Sequence, residues 1–431
     1  MQKLLWIAAA PRTRRSRTNR MLLSSGAGLH IITDPSAQPF DPAESRRSVS
    51  PQVGGDFKPP GRPEIAFLQF RQGAISPGPE GAASPAGLRL TYDENDGFFD
   101  HVIPAYAPAE DRGASTVDTT GELYPGSASQ PAGPYGLGQR VPMLVVSPWS
   151  TGGYVCSQTL DHTSIIRLME ERFGVEEPNI SRWRRAVCGD LTGAFDFARS
   201  DTKVPSLPDT DGYLPPDHDR HPDYVPTPPA NPSLPHQESG LRRARPLPYD
   251  LSADATVANG SLRLDFANRG KAGAHFHVTS ASHPDGPWGY TVEAGKHLSG
   301  TWGTAEGKDT YDVEVHGPGG FVRHLTGRIT GRGPEVSARH VRATGEVELT
   351  LTNQGDTAVR LTVTDGYHHQ KRAEYRLRPG GRAVHTVDTK RSHQWYDVSV
   401  ASDGDSGYLR RLAGHVETGR AGTSDPALSA G

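Results

Sequence analysis

Four carboxylates crowd one short stretch of the chain: Asp93, Glu94, Asp96 and Asp100 in TYDENDGFFDHV. Groups that close repel one another, so a cation or bulk water must offset them. Three readings compete. A calcium loop of the helix-loop-helix kind needs alternating oxygen ligands and glycine sixth; counted from Asp93, Gly97 is fifth, and the spacing fails. A solvated acidic turn needs nothing further. The third reading is a metal site at the C-terminal end of a sheet strand, where open α/β sheets gather their ligands. Asp93 and Glu94 offer hard oxygens there, and a divalent ion could activate a nucleophile or hold a phosphoryl oxygen. On that reading Phe98 and Phe99 anchor the loop, while Asp96 and Asp100 hydrogen-bond its own backbone. His101 follows the loop and either reaches the site or packs structurally.

Such a loop needs a sheet behind it. LRLTY, from Leu88, reads as a short strand that ends at the acidic residues. RVPMLVVSPWS, from Arg140, is a near-continuous apolar run, as expected of a strand buried on both faces of a parallel sheet. LDHTSIIRLMEERFG has helical spacing at Ile165, Leu168, Met169 and Phe173, with Asp161 placed to cap its start and Gly174 to stop it. Strand, loop and helix in this order predict the end of an α/β domain, closed by NISRWRRAVCGDLTGAFDF.

The rest of the chain has a different character. Its 431 residues allow several domains, and 34% apolar content with 49 Gly and 37 Pro predicts a loop-rich, β-rich protein. A net charge of −3 gives no reason to expect a nucleic-acid partner. No apolar run is long enough for a transmembrane helix. At the N-terminus, MQKLLWIAAAPRTRRSRTNR has a short apolar run followed by a basic cluster. A secretory signal has its charges first and a longer apolar region, so no working signal is read there. Residues 201–248 are too rich in proline for helix or central strand and read as an extended linker.

Beyond the linker the sequence repeats. GSLRLDFANRGKAGAHFHVT from Gly260 aligns without a gap on GEVELTLTNQGDTAVRLTVT from Gly345. TYDVEV from Thr310 matches WYDVSV from Trp395, and FVRHLTGRI from Phe321 matches YLRRLAGHV from Tyr408. Alternating strands broken by Asn268-Arg269-Gly270 and Asn353-Gln354-Gly355 predict two tandem, separate β-sandwiches, at 249–332 and 333–418. Residues 419–431 are expected to be a disordered tail.

Taken in order, the loop, the apolar strand, the helix, RRAVCGDLTGAFDF and the tandem β modules resemble the bacterial phosphocholine-specific phospholipase C family. That family belongs with the acid-phosphatase-type phosphoesterases of the alkaline phosphatase superfamily. The resemblance runs from about residue 88 to 418. It implies a partial α/β/α phosphoesterase domain at 88–200, ahead of the β-sandwiches, that hydrolyses phosphatidylcholine or sphingomyelin and releases phosphocholine. It also implies a divalent metal ion on Asp93 and Glu94. RSRTNRMLLSSG, from Arg15, resembles the family's nucleophile segment in degraded form. That puts Ser16 at the nucleophile position, with Thr18 as a rival under a shifted alignment. A Glu-Asn pair normally completes the metal site, and the one Glu-Asn here is Glu94-Asn95 itself. Residues 1–87 are therefore expected to be a degraded remnant and the chain N-terminally truncated. The alternative is a catalytically silent remnant whose β modules bind lipid headgroups or the membrane surface. A phospholipid substrate, a transient membrane contact, a monomeric state and a secreted or periplasmic location follow from the resemblance. Cys156 and Cys188 read either as a pair or as two buried thiols; export would let a disulfide persist.

Several conspicuous residues carry less. DGDSGYL around Ser406 has the look of a protease motif but falls at a hairpin turn. His275 and His277 alternate on a strand and read as exposed. His368 and His369 read as loop residues, and His162 as structural.

Overall fold

In the computed structural model, residues 100 and 102–203, most of 239–429 and isolated positions between those spans are described, together with five strands nearer the N-terminus. Three of those, Trp6–Ala9, Met21–Ser25 and Gly28–Ile32, form a small antiparallel sheet.

The segment ahead of the linker is built on strands β1 (Ile65–Phe70), β2 (Gly87–Tyr92), β3 (Gly113–Ser115) and β4 (Met143–Val146) and on helices α1 (Thr163–Phe173) and α2 (Arg182–Val187). β2 lies between β1 and β4 and is antiparallel to both. The apolar run at β4 is thus not a parallel strand buried on both faces. Met143 and Val145 pack with Ile165, Leu168 and Met169 of α1, whereas Leu144 and Val146 are 60% and 59% exposed. α1 ends at Gly174, left-handed at φ 67°, as the sequence predicts. Its start differs: the cap position is His162. Asp161 turns instead to the Thr163 hydroxyl, at 2.6 Å, and to Arg184.

The first module comprises β5 (Leu251–Ala258), β6 (Ser261–Asn268), β7 (Ala274–Ser280), β8 (Trp288–Val292), β9 (His297–Trp302), β10 (Thr310–His316) and β11 (Val322–Arg328). The second repeats them as β12 (Pro334–Val341), β13 (Glu346–Asn353), β14 (Val359–Asp365), β15 (Ala373–Leu377), β16 (Arg382–Val387), β17 (Trp395–Ser402) and β18 (Asp405–His415). One layer of each module is a three-stranded sheet, β5-β6-β9 or β12-β13-β16. Period-two alternation turns Leu262, Leu264 and Phe266, and likewise Val347, Leu349 and Leu351, into the two cores at 0–1% exposure. Burying side chains of this kind contributes about 1.5–3 kcal/mol each. The repeat extends to single bonds. Asn268 donates to the Ala272 and Val292 carbonyls and accepts from Gly270 N–H. Asn353 does the same with Thr357, Leu377 and Gly355.

The modules are not separate sandwiches. Their larger layers join edge to edge in one nine-stranded sheet, ordered β15-β14-β17-β18-β11-β10-β7-β8-β3. The seam is the antiparallel pair β11–β18. Across it two arginines reach in opposite directions: Arg323 donates to the Tyr396 hydroxyl at 3.1 Å and Arg410 to the Tyr311 hydroxyl. Each guanidinium also lies over its own module's ring, Phe321 at 4.0 Å and Tyr408 at 4.4 Å. A strand edge with unmet backbone groups and an arginine that reaches a hydroxyl of the other repeat explain the fusion, since each is met across the seam.

The described part of the expected disordered tail is held in place. Gly422–Thr423 pairs with Arg243–Ala244 at the end of the linker, the Trp395 indole donates to the Thr423 carbonyl at 3.0 Å, and Tyr367 donates to Asp425 at 2.7 Å.

Candidate functional site

β2 ends at Tyr92, the residue before Asp93 in the chain. Asp93, Glu94, Asp96 and His101 lie outside the described residues, as do Ser16 and Thr18. The structure does describe what flanks the loop. Thr91, the penultimate residue of β2, is 4% exposed and donates to the Pro142 carbonyl at 3.2 Å. At the other end, Asp100 receives the Arg140 guanidinium through Nη2 at 2.8 Å and Nε at 3.0 Å, and the Arg140 backbone N–H at 2.9 Å. The Val102 N–H bonds Asp100 at 3.3 Å, so the expected local bond exists but is secondary. The guanidinium and the two backbone donors hold the Asp100 carboxyl well below its ordinary pKa. Arg140 leads into β4, the neighbour of β2. The exit of the acidic loop is therefore tied to the strand beside its entrance.

A second set of charges fixes the helices. Arg184, 9% exposed, reaches Glu122 at 2.8 Å, Asp161 at 2.7 Å and the Gly136 carbonyl at 2.8 Å. Ser181 caps α2 and also donates to Glu122 at 2.6 Å. Arg185 holds Glu170 of α1 through two bonds of 2.8 Å. Burial opposes the charge of Arg184, but the two carboxylates outweigh it and its pKa is raised. This is scaffold, since every guanidinium edge named is spent on the protein.

Cys156 and Cys188 are free thiols, which corrects the expected disulfide. Cys188 is 2% exposed at the end of α2. Burial, with Asp161 adding to it, raises its pKa well above the usual thiol value, and burial raises that of Cys156. Both favour the neutral thiol, not the thiolate that starts disulfide exchange.

The histidines on β7 are not exposed. His275 is 4% exposed, and its ring lies 4.6 Å from that of His277. Tyr106 covers both rings, at 5.0 and 5.5 Å, and donates its hydroxyl to the Pro287 carbonyl. Trp183, completely buried on α2, donates to the Thr291 hydroxyl, which bonds His275 Nδ1; both distances are 3.0 Å. β3 adds itself to β8 as a parallel edge strand. Burial pushes His275 well down, and burial helped by His316 holds His277 at about 4. Alternation alone put these residues on one face; Tyr106 and Trp183, far away in sequence, decide that the face is covered.

A small cleft lies where the two modules meet, lined by Tyr249, Phe321, His340, Tyr396, His415 and Glu417 among others. Its polar groups answer one another. His340 bonds Tyr396 at 3.0 Å and faces Asp250 at 3.2 Å. Glu417 takes His415 at 2.8 Å and the Leu247 N–H at 2.9 Å. Among the described residues, no group of three His, Cys, Asp or Glu side chains is placed to hold a metal ion. Ser406 sits at the exposed β17–β18 hairpin, where Asp405 accepts from the Gly407 N–H.

Comparison with known proteins agrees with this division of the chain. Residues 84–176 match the phosphoesterase family, and residues 243–328 and 334–415 each match the C-terminal domain of bacterial phospholipase C. The non-hemolytic phospholipase C of Burkholderia pseudomallei is 52% identical over 358 residues, which is 80% of this chain and 51% of that protein. The non-hemolytic phospholipase C of Pseudomonas aeruginosa is 44% identical over 386 residues, 83% of this chain and 54% of that protein. Phospholipase C A of Mycobacterium tuberculosis is 49% identical over 111 residues, 26% of this chain and 21% of that protein. The chain thus spans about half the length of the two longer matches. The chain thus joins a segment similar to the phosphoesterase family to two copies of the C-terminal domain of bacterial phospholipase C.

Proposed function

We propose that this chain carries the phosphoric diester hydrolase chemistry of a phospholipase C and releases phosphocholine from phosphatidylcholine or sphingomyelin. The observation that supports it is the pairing, in one chain, of a phosphoesterase segment with two phospholipase C C-terminal domains at 52% identity to a protein of that name. In this reading the hydroxyl of Ser16, or of Thr18, attacks phosphorus while the lipid alkoxide leaves, and water then frees phosphocholine from the enzyme. His101 stands close enough in sequence to the acidic loop to move a proton there. Asp93 and Glu94 would hold a divalent ion, whose charge would offset that building on the phosphoryl oxygens. Phosphoesterases of this kind are generally metal-dependent. The Asp100–Arg140 pair serves by tying the loop's exit to the approach to β4, the neighbour of β2. In this reading the substrate brings the protein to a membrane surface, and its location is secreted or periplasmic, as the resemblance implies. Among the described residues no helix is long and apolar enough to cross a membrane.

A second reading is favoured by one observation: Glu94-Asn95 is the chain's one Glu-Asn pair, so a separate pair for the metal site is missing. Two carboxylates alone hold a hard divalent ion weakly. Under this reading the chain no longer hydrolyses lipid, and its β modules bind headgroups. Hydrolysis of a chromogenic phosphocholine ester with divalent metal added separates the two. We expect turnover that Asp93→Ala abolishes. No turnover from the parent chain favours the silent reading, and turnover surviving Asp93→Ala with Glu94→Ala sinks the metal assignment.

A further inference from the structure

The two repeats present equivalent faces, and one of them is occupied. The alignment from Gly260 on that from Gly345 sets His275 against Arg360, and carried into the next strand it sets Thr291 against Arg376. The strand registers agree: His275 pairs with Thr291 across β7–β8, and Arg360 with Arg376 across β14–β15. In the first module this face is the seat of Tyr106 and Trp183, and the edge of β8 is taken by β3. In the second, β15 is the terminal strand of the nine-stranded sheet, and Arg360, Arg372, Arg376 and Arg378 are exposed.

Two like charges directly opposite on neighbouring strands destabilise a sheet. Arg360 is partly relieved by Asp403 at 3.6 Å and Arg372 by Glu374 at 3.4 Å. Arg376 and Arg378 have no ion-pair partner among the described residues. Four guanidinium groups thus face two carboxylates, on a face whose counterpart is an interface.

From this we propose that the β14–β15 face of the second module docks on a phosphate-bearing, anionic lipid surface. The inference rests on the reading that the chain acts on phospholipid. Guanidinium groups suit phosphate because their forked donors match its oxygens. A flat headgroup layer fits better than a protein partner. A protein interface needs an apolar centre, and none of the large exposed apolar side chains lies on β14 or β15.

The test is co-sedimentation of the whole chain with vesicles, in chelator so that the lipid stays intact. Vesicles of phosphatidylcholine alone are compared with vesicles of phosphatidylcholine mixed with phosphatidylglycerol. The parent should prefer the mixed vesicles and lose that preference in high salt. Each arginine near an anionic surface is worth about fivefold, so Arg376→Gln with Arg378→Gln should weaken binding about 25-fold. Arg263→Gln, an exposed arginine on β6, should have a far smaller effect. The double variant should melt no lower than the parent, because it relieves the Arg360–Arg376 opposition, and should hydrolyse a soluble chromogenic phosphocholine ester at the parent's rate. Equal binding to both vesicles, no binding, undiminished binding by the double variant, or capture by polyglutamate without vesicle binding would each overturn the proposal. A parent that binds mixed vesicles as described but hydrolyses nothing sinks the catalytic reading and supports the docking surface.

Discussion

His275 with Thr291 in the first module and Arg360 with Arg376 in the second stand at the same register of the same strand pair. One pair is neutral and covered by Tyr106 and Trp183; the other is charged and exposed. Inside, the repeats barely differ: Asn268 and Asn353 make matching bonds, and the alternate apolar positions fill two similar cores. The inner face of a sandwich strand is constrained by packing against the other sheet, so both copies keep it. The outer face is constrained only by what lies on it, and there the copies part.

The largest break in this comparison should come from removing what covers the first module. Trp183→Ala empties a fully buried site beneath His275 and leaves the Thr291 hydroxyl without its indole donor. We expect a loss of about 3–5 kcal/mol, seen in urea denaturation. An unchanged midpoint would show that the phosphoesterase segment and the first module fold independently.

The seam between the modules offers a smaller, symmetrical test. Arg323→Met and Arg410→Met each remove a guanidinium that reaches the other repeat's tyrosine. Each should cost about 1–3 kcal/mol. The pair should depart from additivity, because β11 and β18 share one seam. Strict additivity would mean that the two contacts are independent.

Acid should then distinguish the interfaces. His275 and His277 are buried neutral, with His277 held at about 4 against an ordinary 6.5. Between those values the unfolded chain binds more protons, so stability is full above about 6.5 and falls as pH drops toward 4. His340, at the seam between modules, has the opposite sign. Burial lowers its pKa, but Tyr396 and the Asp250 carboxylate outweigh that and raise it. Its contribution is present below 6.5 and is lost as pH rises through the folded value. Melting followed from pH 7 to 5 should show a fall of a few degrees that His277→Gln reduces. A His277→Gln slope equal to the parent's would remove the histidine pair from the account.

Much of the architecture was legible. The 85-residue offset between Gly260 and Gly345, the apolar face of α1 and its stop at Gly174 depend on local periodicity and on a glycine that alone tolerates φ 67° cheaply. The fused sheet, the strapped tail and the covered histidines were not. Each depends on backbone or ring partners distant in sequence: β11 with β18, Gly422–Thr423 with Arg243–Ala244, Tyr106 with His275. For the candidate site, sequence identified carboxylates and hydroxyls that lie outside the described residues, and structure added the Asp100–Arg140 clamp at the loop's exit.

By itself, then, the sequence determined the family resemblance, the two repeats and which side chains alternate together, because period two is written into every strand. Tertiary structure alone decided which of those faces is covered and which lies open, because a strand's pattern separates its two sides but does not name what packs on either.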